Sequence, residues 1–493
     1  MLLEILKKHA KSKIKNKLFI YSDGKNYSFK EIDELVNKTC NYFKKNLDLQ
    51  KGDKICTSID NSLTYVIIYF ASMRYGLVIN PSPTYLSKNE FIKNINQIKP
   101  KVIFADNNLS LKKNKVVKIL NDNFFYKLIS NYDKKYINSY NIIPKETAVL
   151  YYSSGSTGNP KLIEISHKAI YESQKMQKNS TLKFSGNNHL CILPLAHTSS
   201  LRSTLKFCLY NGRSVFLYKN FWSIKDRFID IIYKKKITFI QVVPSIINML
   251  IQIYSNERNL QKKINSLKFI ASGSAYLTEK LKTQFKNNFN IPVINIYGLS
   301  ETCAISMTSF KKNNEIYGNS IGKVLKGVKF KIINEKNKKV KNNEPGELLI
   351  KSPSIFSGYY NSNSTLDNFT KDKFFKTGDI VISNNNNELT YVERKKNIVI
   401  KSGININCRE IDNTLISLDY VSDSYTTSKS DLFHGEVPIS YVVLKKKKRN
   451  EDIIKDIKKV LGEFKTPNKI IILKEIPRSQ TGKIQFFLLN NHE

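Results

Sequence analysis

Residues 151–161 read Tyr151-Tyr152-Ser153-Ser154-Gly155-Ser156-Thr157-Gly158-Asn159-Pro160-Lys161. An apolar run, Ala148 to Tyr152, feeds straight into a loop of Ser, Gly and Thr that closes on Pro and Lys. An apolar run ending in a polar glycine loop is the pattern of a buried strand in a parallel sheet. The loop offers backbone N–H groups, hydroxyls and one cation within a turn, a cradle for a polyphosphate. It is not a P-loop, because Pro160 stands where GxxxxGK[ST] requires its second glycine.

The same pattern recurs along the chain. Lys101 to Ala105, Leu190 to Leu193, Ser214 to Leu217, Phe239 to Val243, Leu267 to Ala271 and Val293 to Ile296 read as strands. Helical periodicity separates them, as in Ile224 to Lys234 and Leu277 to Phe289. This alternation predicts an α/β fold with largely parallel sheets. Ligands of open α/β sheets bind at the carboxyl ends of strands. The segments Ser153–Lys161, Pro194–Ser200, Ser272–Ala275 and Tyr297–Thr302 are therefore expected to converge.

From Ile316 the character changes. Lys329–Ile333, Gly346–Ile350 and Leu389–Val392 read as antiparallel strands joined by Asn, Lys and Gly turns, with Asn384–Asn387 as one turn. After Arg394 a smaller unit follows, with strands at Ile398–Ile400, Ile439–Leu444 and Lys469–Leu473 and helices at Glu410–Leu418 and Glu451–Leu461.

Composition sets the remaining bounds. The 493 residues are 41% hydrophobic, enough for several packed domains. No apolar stretch approaches the ~20 residues of a membrane span; the longest candidate, Tyr65 to Ala71, suits a buried element. The Lys-rich start lacks the features of a secretory signal, and a cytoplasmic location is expected. The six cysteines contain no CxxC pair, so neither a disulfide framework nor a zinc site is expected. The formal charge of +39 invites a nucleic-acid reading. Only nine of the 80 basic residues are Arg, and the lysines are dispersed apart from the run Lys445 to Arg449. Specific nucleic-acid binding is therefore not expected. Composition sets no oligomeric state.

Four further motifs follow the loop in order: Tyr297-Gly298-Leu299-Ser300-Glu301-Thr302, Thr377-Gly378-Asp379, Glu393-Arg394-Lys395-Lys396, and Pro477-Arg478-Ser479-Gln480-Thr481-Gly482-Lys483-Ile484. Leu193-Pro194-Leu195-Ala196-His197 and Gly358-Tyr359-Tyr360-Asn361 are landmarks between them. The set resembles the adenylate-forming superfamily of acyl-CoA synthetases, luciferases and adenylation domains, from about Phe29 to Phe486.

The resemblance implies a large N-terminal domain of stacked, mainly parallel sheets with a small β-barrel-like subdomain, residues 1–394. It implies a small mobile α+β C-terminal domain, residues 395–493. It implies that ATP and a carboxylic acid give an acyl-adenylate, with CoA or a carrier-protein phosphopantetheine as the acceptor. Ser153, Ser154, Gly155, Ser156, Thr157, Gly158 and Lys161 are then expected at the phosphates. Asn295, Tyr297 and Gly298 belong at the adenine side, and Ser300 and Thr302 near the phosphates. Glu301 is the expected Mg²⁺ ligand, a hard oxygen donor for a hard cation. Asp379 and Arg394 are expected at the ribose. Lys483 is expected to bridge the attacking carboxylate and the α-phosphate, with Lys396 as the domain hinge. His197 is expected to gate the acyl and thiol paths, and Ser272, Gly273, Ser274, Ala275 and Gly403 to line them. Amino-acid-activating members usually carry an Asp between Pro194 and Ser200; this chain has none. Burying a substrate ammonium without a partner is costly, which favours a fatty or aryl acid. The chain departs from the family pattern at Glu393, Asn397, Cys408-Arg409-Glu410-Ile411-Asp412 and Ser274.

Overall fold

The computed structural model describes residues 1–84, 86, 88–106, 115–136, 140–152, 161–307, 320–401, 404–431, 434–478 and 484–489. The chain divides into two compact units, one of residues 1–329 and 351–368, the other of residues 330–350 and 369–493.

The first unit contains two sheets. In one, the strands Val293–Leu299, Phe269–Gly273, Phe239–Val242, Asn188–Cys191, Ser214–Leu217 and Leu18–Ser22 run parallel in that spatial order. Antiparallel strands lie on either side: Cys303–Met307 and Ser320–Val324 beyond Val293–Leu299, and Lys25–Ser28 beyond Leu18–Ser22. In the second sheet, Thr147–Tyr152, Val78–Pro81, Lys54–Ser58, Val102–Ala105 and Lys115–Lys118 are parallel. Leu162–Ser166 and Gly358–Tyr359 continue that sheet antiparallel.

The burial of these strands explains their sequence. Every residue of Phe239–Val242, Phe269–Gly273 and Val102–Ala105 is buried, so they read as mainly apolar runs, interrupted only by Gln241 and Ser272. The stretch Tyr65 to Ala71 lies in the helix Leu63–Tyr75, which is buried along its whole length. A helix apolar all round is one that is covered all round. Helix Phe29–Lys45 instead starts on a capping box, with Ser28 and Glu31 bonding each other's backbone, and buries only one stripe.

Several expected elements shift, three of them instructively. The strand expected at Leu190–Leu193 is Asn188–Cys191, because Leu193 leaves the sheet ahead of Pro194. The strand at Leu267–Ala271 is Phe269–Gly273, so Ser272 and Gly273 lie inside it. The helix at Ile224–Lys234 opens with a 3₁₀ turn, Lys225–Arg227, and becomes α only at Phe228–Lys234.

In the second unit Lys329–Ile333, Pro345–Lys351, Phe375–Ser383 and Glu388–Arg394 lie side by side, with antiparallel ladders across Phe375–Ser383. Asn384 closes the hairpin, its side chain accepting from the backbone N–H of Asn386 and Glu388. The remainder is α+β. Val421–Asp431 and Gly435–Leu444 form a long antiparallel pair, Lys469–Leu473 joins it parallel, and the helices Cys408–Ser417 and Asn450–Lys465 belong to the same unit. The contact-based division thus groups the antiparallel strands before Arg394 with the C-terminal elements. Among the described residues, no helix is long and apolar enough to cross a membrane.

Candidate active site

The first unit brings three of the expected segments together. The strand Val293–Leu299 ends in a tight turn where Thr302 returns to Leu299: the Thr302 N–H donates to the Leu299 carbonyl at 3.2 Å, and the Thr302 hydroxyl accepts from the Leu299 N–H at 3.2 Å. Tyr297 and Gly298 belong to the strand itself, at a bulge in its ladder with Cys303–Met307. The turn is held from outside by residues 354–359. The Ser354 hydroxyl donates to the Thr302 carbonyl at 3.0 Å, and the Phe356 N–H to the Glu301 carbonyl at 2.7 Å. Thr302 is fully buried and Glu301 is half-buried at the tip.

Tyr359 joins two expected features. Its hydroxyl donates to Glu301 Oε1 at 3.1 Å, and Lys161 Nζ lies 4.6 Å from its ring centroid. Tyr359 also pairs with Ile163 in the strand that follows the Ser/Gly/Thr loop. The carboxylate and the loop's terminal lysine therefore meet on one tyrosine, one at its hydroxyl and the other over its ring. A half-buried carboxylate held by a hydroxyl at one oxygen is a hard donor of the kind Mg²⁺ takes alongside substrate phosphates and water. No group of three or more His, Cys, Asp or Glu side chains able to hold a metal occurs among the described residues.

His197 N-caps a short helical turn, Thr198–Ser200, and Thr198 Oγ1 lies 3.5 Å from Ser300 Oγ. The segment is tied back by Asn61, which accepts from the Leu195 N–H at 2.7 Å and donates to the Leu193 carbonyl at 2.9 Å. A wide π-helical turn, Leu201–Lys206, continues it, with Arg202 and Lys206 both buried. Lys206 Nζ reaches the Tyr151 hydroxyl at 3.4 Å and faces the Tyr69 ring at 5.1 Å. Such turns recur at functional sites.

Ser272 and Asn295 are paired across neighbouring strands, both buried. The Asn295 amide donates to the Ser320 carbonyl at 3.2 Å, which ties the strand Val293–Leu299 to the start of Ser320–Val324. Gly273 is required by close approach: a Cβ there would meet the Ile296 carbonyl oxygen at 2.5 Å. Ser274 sits at φ 69°, the left-handed region, where the family pattern has Gly. Ala275 follows it, outside the strand.

In the second unit Asp379 and Arg394 are direct neighbours across two strands. Arg394 Nη1 lies 3.1 Å from Asp379 Oδ1 and donates to the Thr377 carbonyl at 2.7 Å. Asp379 is not at a turn but in the middle of the nine-residue strand Phe375–Ser383. Gly378, at φ 69°, gives the strand its local twist beside the Arg394 guanidinium. Lys395 pairs with Glu347 at 2.8 Å, and Lys395–Asn397 form a 3₁₀ turn. Ser153, Ser154, Gly155, Ser156, Thr157, Gly158, Gly403 and Lys483 lie outside the described residues, as does the Lys396 side chain.

Tyr359 is the site residue that sequence reasoning passed over; its landmark Gly358-Tyr359-Tyr360-Asn361 was the available signal. Glu393 and Arg409 are two more, visible only as departures from the family pattern.

Polar loops at the carboxyl ends of parallel strands, a carboxylate on a clamped turn and an Asp–Arg pair define an α/β enzyme that uses a nucleotide. The chain belongs to the AMP-binding enzyme family, whose model matches residues 6–360, and the AMP-binding enzyme C-terminal domain matches residues 410–483. It is an adenylate-forming ligase of the acyl-CoA synthetase type. A 4-coumarate–CoA ligase of Pinus taeda is 24% identical over 479 residues, covering 93% of this chain and 88% of the relative. The fold is similar to ATP-bound MatB from Rhodopseudomonas palustris, with a TM-score of 0.90, 22% identity, and 99% and 98% of the two chains covered. It is also similar to O-succinylbenzoate coenzyme A synthetase (MenE) from Bacillus subtilis in complex with ATP and magnesium ion, with a TM-score of 0.84, 23% identity, and 99% of each chain covered.

Proposed function

We propose that this protein activates a fatty or aryl carboxylic acid with ATP and Mg²⁺ and transfers the acyl group to CoA. In the first step a carboxylate oxygen attacks the α-phosphorus and pyrophosphate leaves, giving the acyl-adenylate. In the second the thiolate sulfur attacks the acyl carbon, the bond to the phosphate oxygen breaks, and AMP leaves. The observation that carries this reading is the Glu301–Tyr359–Lys161 connection, with Thr198 of the acyl-side segment against Ser300. It unites a metal-binding carboxylate, a phosphate-loop lysine and the acyl side in one unit.

The roles follow from charge and position. Ser153 to Gly158 and Lys161 hold the departing pyrophosphate, with Ser300 and Thr302 nearby. Glu301 would hold Mg²⁺, which supplies charge neutralisation at the phosphates. Tyr297, Gly298 and Asn295 form the adenine side, and Asp379 with Arg394 takes the ribose. Lys483 offsets charge between the two anionic reactants, the term that most limits their approach. His197, Ser272, Gly273, Ser274, Ala275 and Gly403 border the acyl and pantetheine paths. We divide the chain functionally at 394/395, with Lys396 as the hinge between the two half-reactions. A substrate without an ammonium group is favoured because the Pro194–Ser200 segment carries no acidic side chain. The cysteines Cys40, Cys56, Cys191, Cys208 and Cys408 are free and buried, which supports a cytoplasmic setting.

The test is AMP release over a panel of fatty and aryl acids, with and without CoA. CoA-dependent turnover of at least one acid is expected. Activity with a phosphopantetheinylated carrier protein and none with CoA would reject the acceptor. Lys483→Ala is expected to lower acid-dependent pyrophosphate exchange by about 10²–10³-fold while sparing transfer from a supplied acyl-adenylate. Equal loss of both steps would reject the assignment of roles.

A further inference from the structure

We propose that the Glu393 carboxylate is a latch across the hinge turn, paired with Arg409 in one of the two catalytic arrangements and released in the other. The inference rests on the hinge reading of Lys396.

Glu393 is the last residue but one of the strand Glu388–Arg394 and is 2% exposed. Its two oxygens divide their work. Oε1 accepts from the Arg394 N–H at 2.7 Å and faces the Asn397 side-chain amide at 3.4 Å. Oε2 lies 3.3 Å from Arg409 Nε. One buried carboxylate thus touches the strand before the turn Lys395–Asn397, the turn itself, and the helix Cys408–Ser417 beyond it.

The elements beyond the turn move together. Val399, Ile406, Cys408, Ile411 and Leu415 share one apolar core. Glu393 stands on the other side of the turn. A change of φ/ψ at Lys396 therefore swings the Arg409 helix as a body and stretches the Glu393–Arg409 contact first. Glu393 is buried and Arg409 is partly exposed, so the contact is a poor source of net stability but a selective one: separating it leaves the Glu393 charge buried without that cation. Sited next to Arg394, which pairs with Asp379, it links hinge position to the ribose contacts. Glu393 and Arg409 act as positioning residues.

The experiment uses the full chain and the variants Glu393→Gln, which keeps the size of the side chain and removes its charge, and Arg409→Gln, which removes the guanidinium charge. Tryptic cleavage within Arg394–Lys396 is measured against cleavage in the Lys445–Arg449 run as an internal reference. Each variant is expected to raise the ratio about fivefold, and the double variant to match the singles. The two half-reactions, measured on the acid selected by the AMP-release panel, are expected to shift in opposite directions. An unchanged cleavage ratio, an additive double variant, or both half-reactions falling together would overturn the latch. Lys396→Pro, which restricts φ at the turn, separates the two readings. If it leaves both half-reactions intact, the hinge reading fails. If it splits them while Glu393→Gln does not, the latch alone fails.

Discussion

The Glu301 corner of the first unit and the strand ends of the second treat negative charge in opposite ways. Glu301 is anchored by a neutral phenol, whereas Glu347, Asp379 and Glu393 each face a cation, Lys395, Arg394 and Arg409. On the proposed roles the difference is useful: a carboxylate that takes a metal is better held by a neutral group, and carboxylates at a hinge and a ribose contact are better paired in advance. The contrast extends to buried titratable groups. The first unit hides neutral histidines: burial pushes His189 down to about 3 and His167 down to about 4. The second hides an acid: burial raises Asp412 to about 6, against the hydroxyls of Thr426 and Ser424, which bond its Oδ1.

The largest expected effect breaks this comparison by acid. A histidine whose folded pKa lies below its unfolded value takes up its proton only on unfolding. Its stabilisation is present above pH 6.5 and is lost as pH falls toward the folded pKa, on the order of 3–5 kcal/mol for each such site. Around His189 stand Ser185, Phe207, Phe239 and the Arg213 guanidinium, which opposes protonation. Hydrogen exchange between pH 7 and pH 4 is expected to show the strand Asn188–Cys191 losing protection faster than Val421–Asp431. Equal loss in both would remove the distinction.

Asp412 carries the opposite sign. Its folded pKa is raised, so its contribution is most favourable below about pH 4 and declines as pH rises toward 6. Besides the two hydroxyls it faces the charges of Arg409, which favours its ionised form, and Glu393, which opposes it. Asp412→Asn keeps the hydroxyl partners and removes the titration. It is expected to stabilise the second unit at pH 8 by up to about 3 kcal/mol, read by denaturant unfolding at pH 5 and pH 8. A gain equal at both pH values would show that charge is not the cause.

These contrasts bear on what could be read in advance. The strands Lys329–Ile333 and Lys469–Leu473 match their expected bounds to the residue. The helix expected to end at Leu461 does break there, at Gly462 with φ 75°. Turn chemistry and apolar runs are local, so they are legible. Asp379 was harder, because Thr-Gly-Asp has turn composition while the alternating burial of Phe375–Ser383 is set by its neighbours. The Tyr359–Glu301 bond spans 58 residues, and the Glu393–Arg409 pair joins a strand to a helix. Their partners are chosen by packing, which no local pattern encodes.

Tyr359→Phe sharpens the contrast at Glu301 itself. Loss of a hydrogen bond to a carboxylate is worth about 1.5 kcal/mol. On the proposed metal role of Glu301, the Mg²⁺ needed for half-maximal pyrophosphate exchange is expected to rise about tenfold. Glu301→Ala should raise it further. An unchanged metal titration for Tyr359→Phe would leave the tyrosine a purely structural clamp.

The smallest effect lies at Ser274, between the strand Phe269–Gly273 and the acyl side. A side chain in the left-handed region crowds its own carbonyl, a strain that glycine does not carry. Gly273 before it has no such freedom to change, because its Cα hydrogen faces the Ile296 carbonyl too closely for any Cβ. The adjacent positions therefore make opposite demands: one forbids a side chain for lack of space, the other tolerates one at a backbone cost. Ser274→Gly is expected to stabilise the first unit by about 0.5–1 kcal/mol, with the gain in fold stability partly offset by a freer unfolded chain. If thermal stability rises while AMP release falls for every acid in the panel, the retained serine hydroxyl serves the acyl side, and the strain at φ 69° is kept for function.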